Sequence, residues 1–203
     1  MKKYAVLHEP GDIVTLAGTR FVVLDVERRG SLPDSLFLLA LESVGASEFG
    51  SSNNYAESDL KKAVDKWLED MGKRGLDNAK LIPREIDLTT LDGSGCYGKL
   101  SVKAAPLTLD EAREYADIIP NAERWCWLAT GWSGPSKSDG DLALYVLSNG
   151  DWGNCDCSNS SGIRPALKIP SDLLLDSADK PDLSKVPTDT LLEEIRRRVV
   201  DKA

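Results

Sequence analysis

Two thiols one residue apart, a group of carboxylates beside them and a run of tryptophans are the groups in this chain best equipped for chemistry. Cys155-Asp156-Cys157 is a CxC pair. Soft thiolates of this kind suit Cu(I) or a redox couple. A zinc site would need two more ligands, and Cys96, Cys126 and His8 are too scattered in sequence to supply them as a motif. With His8 as the sole histidine, in a terminal segment, no Ser-His-Asp or Cys-His set can be assembled. Nothing points to a carboxylate-pair hydrolase. Asp139, Asp141, Asp151 and Asp156 could hold calcium through carboxylate oxygens. Their setting is that of ordinary solvated turn residues, so no calcium and no other cofactor is expected.

Four of the five tryptophans stand at 125, 127, 132 and 152. Trp125 and Trp127 are two apart, so on a strand they share a face, and core packing is the expectation for both. Trp132 and Trp152 lie in or beside polar segments, where exposed aromatics make binding contacts. Arg164 stands between apolar residues and reads as a structural arginine that bonds loop carbonyls. The expected ligand contacts are Trp132, Asp139, Asp141, Trp152, Asn154, Asp156 and Asn159, carried by loops 130–141 and 150–161 on a fixed β scaffold.

A formal charge of −8 over 203 residues excludes the basic footprint that nucleic acid requires, and argues against anionic membrane surfaces. No apolar run approaches the roughly 20 residues that span a bilayer. The apolar stretch after Met1-Lys2-Lys3 is too short for a secretory leader. The chain is therefore expected to be made in the cytoplasm with reduced thiols, and a virion is its other expected setting.

These groups must be positioned by an α+β frame. Ile13–Leu16, Arg20–Glu27 and Leu36–Glu42 read as a β meander. An amphipathic helix starts near Ser58, with Leu60, Ala63, Val64, Trp67, Leu68 and Met71 on one stripe and Gly72 or Gly75 at its end. Thr108-Leu-Asp-Glu111 is a capping box that opens a second helix, with Leu109, Ala112 and Ala116 inward. Short strands flank residues 91–96. Further strands are expected at Trp125–Ala129 and Leu142–Ser148, then a two-residue turn at Asn149-Gly150, a return strand from near Asp151, a polar loop at 154–161 and a last core strand at Ile163–Ile169. Residues 1–170 form the domain and 171–187 a linker. Residues 188–203 form a helix capped by Thr188, with an apolar stripe of Leu191, Leu192, Ile195 and Val199. A helix this short is marginal alone, so it is expected to dock on a second copy or on a partner protein.

Trp125-Cys-Trp-Leu128, Val146-Leu-Ser-Asn-Gly150 and Gly162-Ile-Arg-Pro-Ala-Leu167 resemble a bacterial and phage domain family of unknown function. Its members carry Trp-Trp-Leu-Arg-Ser, a Gly-centred hairpin, and then Gly-Val-Arg-Pro-Ala-Leu. Tyr55-Ala-Glu-Ser58 before Trp67-Leu68, and Leu-Thr-Leu-Asp-Glu-Ala at 107–112, are similar to it as well. The likeness covers roughly residues 10–170, and it departs at Ala129-Thr130, where the family has Arg-Ser.

That family in turn resembles the C-type-lectin-like fold of formylglycine-generating enzymes, used also by variable proteins of diversity-generating retroelements. Those proteins end in a Gly-Phe-Arg strand, which Gly162-Ile163-Arg164 matches. The resemblance implies a C-type-lectin-like α+β fold and a non-enzymatic module that recognises a protein or glycan, phage- or prophage-encoded or diversified by a retroelement. It also raises an oxidoreductase using Cys155 and Cys157. In formylglycine-generating enzymes the copper-binding cysteines lie well upstream of Gly-Phe-Arg, and the spacing here differs. A structural virion or assembly protein is the third reading.

Overall fold

A computed structural model describes residues 2–4, 8–29 and 32–177. The helix expected at 188–203 lies outside the described residues. Among those described, the chain is an α+β protein of mostly antiparallel sheets with two α-helices.

Fourteen strands run in chain order: β1 (Lys2–Tyr4), β2 (Ile13–Leu16), β3 (Thr19–Arg29), β4 (Leu32–Ala40), β5 (Ala46–Glu48), β6 (Arg84–Asp87), β7 (Lys99–Val102), β8 (Ala104–Ala105), β9 (Cys126–Gly131), β10 (Leu142–Val146), β11 (Trp152–Asp156), β12 (Ser160–Gly162), β13 (Ala166–Pro170) and β14 (Leu174–Ser177). Seven form one sheet in the order β1-β14-β2-β3-β4-β13-β8. Five form a second in the order β11-β10-β9-β12-β5, and β6 and β7 pair as a separate hairpin. All pairings are antiparallel except β12 with β9, which meet in parallel at Gly162 and Cys126.

The apolar runs in β3 and β4 explain why the large sheet is central. Successive side chains point to opposite faces. Phe21 and Val23 enter one apolar cluster, with Leu60, Val64 and Met71, while Val22 and Leu24 enter another, with Leu109 and Ala112. Continuous apolar strands of this kind are buried on both faces.

Helix α1 (Asp59–Lys73) begins where Ser58 Oγ accepts the Lys61 amide at 2.9 Å. Its buried residues Leu60, Val64, Trp67 and Met71 keep the four-three-four spacing of one face. Gly75, just past its end, takes a left-handed φ of 102°. Helix α2 (Leu109–Glu114) carries both bonds of the expected capping box. It stops after six residues. Beyond Tyr115 the amide bonds tighten from i−4 to i−3, as in Ala116 to Arg113 and Ile118 to Tyr115. Ala116 therefore leaves the expected buried stripe and lies exposed.

Two expectations about boundaries are corrected. The polar segment 154–161 is not a loop: it is the end of β11, a turn, and β12, because small side chains let Ser160–Gly162 slot between β9 and β5. Likewise, Leu174–Ser177 was expected in a linker, but its backbone pairs with β1 on one side and β2 on the other. The large sheet thus continues past residue 170.

Candidate functional site

The β10–β11 hairpin is the edge of the five-stranded sheet. Its turn differs from the two-residue form expected. The Leu147 amide bonds Asp151 O at 2.7 Å and the Gly150 amide bonds Leu147 O at 3.0 Å. Gly150 has a φ of 90°, and Asn149 is absent from the left-handed region. This is a three-residue loop closed by a glycine bulge. The Asn149 side chain, which accepts the Asp151 amide and donates to its carboxylate at 2.6 Å, holds it.

Past the turn, Trp152, Asn154 and Asp156 alternate along β11, opposite Val146, Leu144 and Leu142 of β10. Residues two apart share a face, so these three predicted contacts form one row. Trp152 is 40 % exposed, with the Arg113 guanidinium of α2 5.2 Å from its ring centre. Asp156 is exposed, and its carboxyl is held below the usual range by the Ser158 side chain and amide. Asn159 follows in the turn and bonds back to Asp156 O at 3.2 Å. Asp141 comes beside this end of the row, because its carbonyl accepts the Cys157 amide at 2.8 Å. Asp139 is exposed, its carbonyl accepting the Leu142 amide.

Asn154 is half-buried between the exposed Trp152 and Asp156, and Trp132 is not part of this row. It is half-buried against the cluster containing Leu128, Leu144 and α2, because β9 runs on to Gly131 and the Trp132 amide bonds Leu142 O at 2.9 Å. The segment after it is pinned. Buried Asn53 donates to Ser133 O at 2.8 Å and Leu142 O at 3.0 Å, and Lys137 pairs with Asp92 at 2.6 Å. A Cβ at Gly131 would meet the Asn53 side chain at 2.8 Å, which is why glycine stands there.

Of the two tryptophans expected in the core, Trp127 is there, 5.5 Å and edge-on from Phe49, its indole N–H donating to Ser47 O at 2.9 Å. Trp125 is a correction. It precedes β9, is 50 % exposed, and stacks face to face on Tyr145 at 5.0 Å and 6°. Nothing in the strand spacing singled out Tyr145. The available signal was Gly153 inside a strand, a mark of close approach. A Cβ there would lie 2.6 Å from the Tyr145 hydroxyl.

Sequence reasoning also missed the cleft beside the row. A cavity of about 310 Å³ opens between α2, the β10–β11 turn and the seam of the two sheets. Leu39, Leu107, Ala112, Leu128 and Val146 wall it, while Asn149, Asp151 and Trp152 stand at its polar side. Arg164, 6 % exposed, also lines it. As expected of a structural arginine, its Nε donates to Ala40 O at 3.0 Å and its Nη1 to Pro120 O at 3.2 Å. Its Nη2 has no hydrogen-bond partner. Burial pulls its pKa down from the ordinary arginine value, with the nearby Cys126 opposing.

The thiols are poorly placed for nucleophilic or ligand chemistry. Burial, then the Asp156 and Asp141 carboxylates, pushes Cys157 up to about 12. Burial likewise raises Cys155, and it raises Cys126 to about 11. The thiolate is the reactive form, so at neutral pH these groups stay protonated. Among the described residues, no three His, Cys, Asp or Glu side chains gather around a point that could hold a metal ion. Nor is any helix among them long and apolar enough to cross a membrane. Comparison with protein-family profiles, with curated proteins and with solved structures finds no match for this chain.

Proposed function

We propose that this protein is a non-enzymatic recognition module of C-type-lectin-like architecture that takes a protein or glycan ligand on the outer row of the β10–β11 hairpin. One observation carries the reading: Trp152, Asn154 and Asp156 stand in register, two residues apart, on an edge strand paired along its length with β10. An exposed indole gives stacking area at small entropic cost, and flanking amide and carboxylate groups give direction. Asp141 and Asn159 extend the polar end of the row. The β-rich α+β frame and the sequence resemblance support the lectin-like reading. A phage, prophage or retroelement-diversified setting follows from that resemblance, and a reverse-transcriptase gene with a template repeat beside the coding region would test it.

The protonated thiols favour this reading over an oxidoreductase using Cys155 and Cys157. Copper titration is the check: tight binding abolished by Cys→Ser at both positions would overturn the binder reading. The direct test is a glycan array and a displayed-protein screen with the full chain, repeated with Trp152→Ala and Asp156→Ala. We expect a saturable ligand whose affinity falls about tenfold or more in Trp152→Ala, with the melting temperature unchanged. Ligands indifferent to both substitutions, or no saturable ligand at all, would refute it.

A further inference from the structure

We propose that the cleft beside Trp152 is a second site, separate from the hairpin row, that binds a small monocarboxylic acid with an apolar body, its carboxylate received by Arg164. Arg164 is almost wholly buried, yet it makes no ion pair with any described carboxylate. The titratable group felt at its guanidinium is the Cys126 thiol, which burial keeps neutral. Buried charges are normally paired, because desolvation is costly. Here two of the three guanidinium nitrogens are satisfied by carbonyls, and Nη2 is left over.

The shape supplies the rest. Ligand pockets are apolar cavities with a few convergent polar groups, and about 310 Å³ is at the small end of their range. Aliphatic walls face an acid's hydrocarbon body. One unpaired cation lining the cleft matches one carboxylate. A dianion such as phosphate is disfavoured, because Asp151 lines the same cleft and the whole chain carries −8. Trp152 borders both sites, so its emission reports on the cleft.

The test is calorimetric titration of the full chain at pH 7 with octanoate and with octanamide, its uncharged counterpart. Octanoate is expected to bind saturably and the amide about tenfold or more weakly, the ratio a charge-assisted hydrogen bond supplies. Equal binding of the two, or no saturable heat with octanoate, overturns the proposal. Arg164→Met should abolish the difference. Because that variant removes two structural bonds, Ala116→Trp provides the independent check: Ala116 is exposed and lines the cleft, and an indole there should displace octanoate without disturbing the core. Full affinity in a folded Ala116→Trp chain overturns the site. A free acid and a peptide carboxyl terminus share this chemistry, so an acetylated tripeptide ending in leucine is titrated in parallel, and binding of that peptide alone overturns the small-acid assignment. Octanoate binding does not depend on a ligand for the hairpin row, so the two readings fail separately.

Discussion

Replacing Arg84 with methionine should cost more stability than any other single charge removal in the described structure. Arg84 is buried on β6, where Nη1 pairs with Glu111 and Nη2 donates to Ala105 O at 3.0 Å and Pro106 O at 3.1 Å. Its guanidinium lies 5.2 Å from the Phe37 ring centre. Glu111 is also the capping-box residue of α2, accepting the Thr108 amide at 2.8 Å. One side chain thus ties the β6–β7 hairpin, the segment before α2 and the start of α2 itself.

Methionine keeps the aliphatic volume over Phe37 but strands a half-buried carboxylate and two carbonyls. Breaking one member of a buried pair costs about 3–5 kcal/mol. For a domain of this size that is a fall of roughly 6–20 °C in Tm, at about 2–4 °C per kcal/mol. The assay is a thermal and urea melt of the full chain in a double-mutant cycle with Glu111→Gln. Glutamine can still accept the Thr108 amide through its one carbonyl oxygen, so the capping box survives, while an NH2 group takes the place of the oxygen that received Arg84 and the ion pair is lost. A coupling of about 2 kcal/mol or more between the two positions is expected. A loss below about 1 kcal/mol in Arg84→Met, or additive single and double variants, would refute the reasoning, because contacting residues in one network do not add.

Two further outcomes follow from the same geometry. Gly162→Ala should destabilise by about 1–3 kcal/mol in urea melts, since its Cβ would meet Trp125 O at 2.7 Å and Cys126 Sγ at 2.8 Å. Stability should fall as pH rises above about 9, the ordinary thiol value. The unfolded chain ionises there, while the folded Cys126 and Cys157 thiols hold their protons until about 11 and 12. Melts from pH 7 to 10.5 check this, and the alkaline slope should ease in Cys157→Ala.

What could be read from the sequence was whatever local chemistry decides. Ile13–Leu16 forms the expected strand, Ser58 caps α1, and Thr108 and Glu111 close their capping box, because each depends on neighbours within four residues. The misses have a common cause: they depend on partners far along the chain. Ser160–Gly162 has no apolar alternation, and it is a strand only because β9 and β5 leave a narrow slot. Trp125 obeys the spacing that places Trp127 in the core, yet it stands beyond the end of β9 and stacks outward on Tyr145. Within the candidate site, Trp152, Asn154 and Asp156 could be picked out as polar-segment residues, although a strand rather than a loop aligns them. The cleft could not be foreseen, since Leu39, Ala112 and Val146 come from three elements that only the fold brings together.

The seam between the two sheets explains how the hairpin row and the cleft lie side by side. The chain leaves β12 of the small sheet at Gly162 and enters β13 of the large sheet at Ala166, so Ile163, Arg164 and Pro165 are the crossing. The crossing is bonded to segments on several sides. Ile163 N–H donates to Gly45 O, Pro165 O accepts the Ala40 amide at 2.9 Å, and Arg164 bonds the carbonyls of Ala40 and Pro120. The cleft opens beside this crossing, walled by Ala112 of α2 and by Ala116 and Ile119 of the segment that follows it. The hairpin row faces different constraints. Trp152, Asn154 and Asp156 are on an edge strand that pairs with β10, with Arg113 over the Trp152 ring. Substitutions along the row therefore leave the seam untouched, whereas substitutions at the seam, Gly162 first among them, shift both sheets at once.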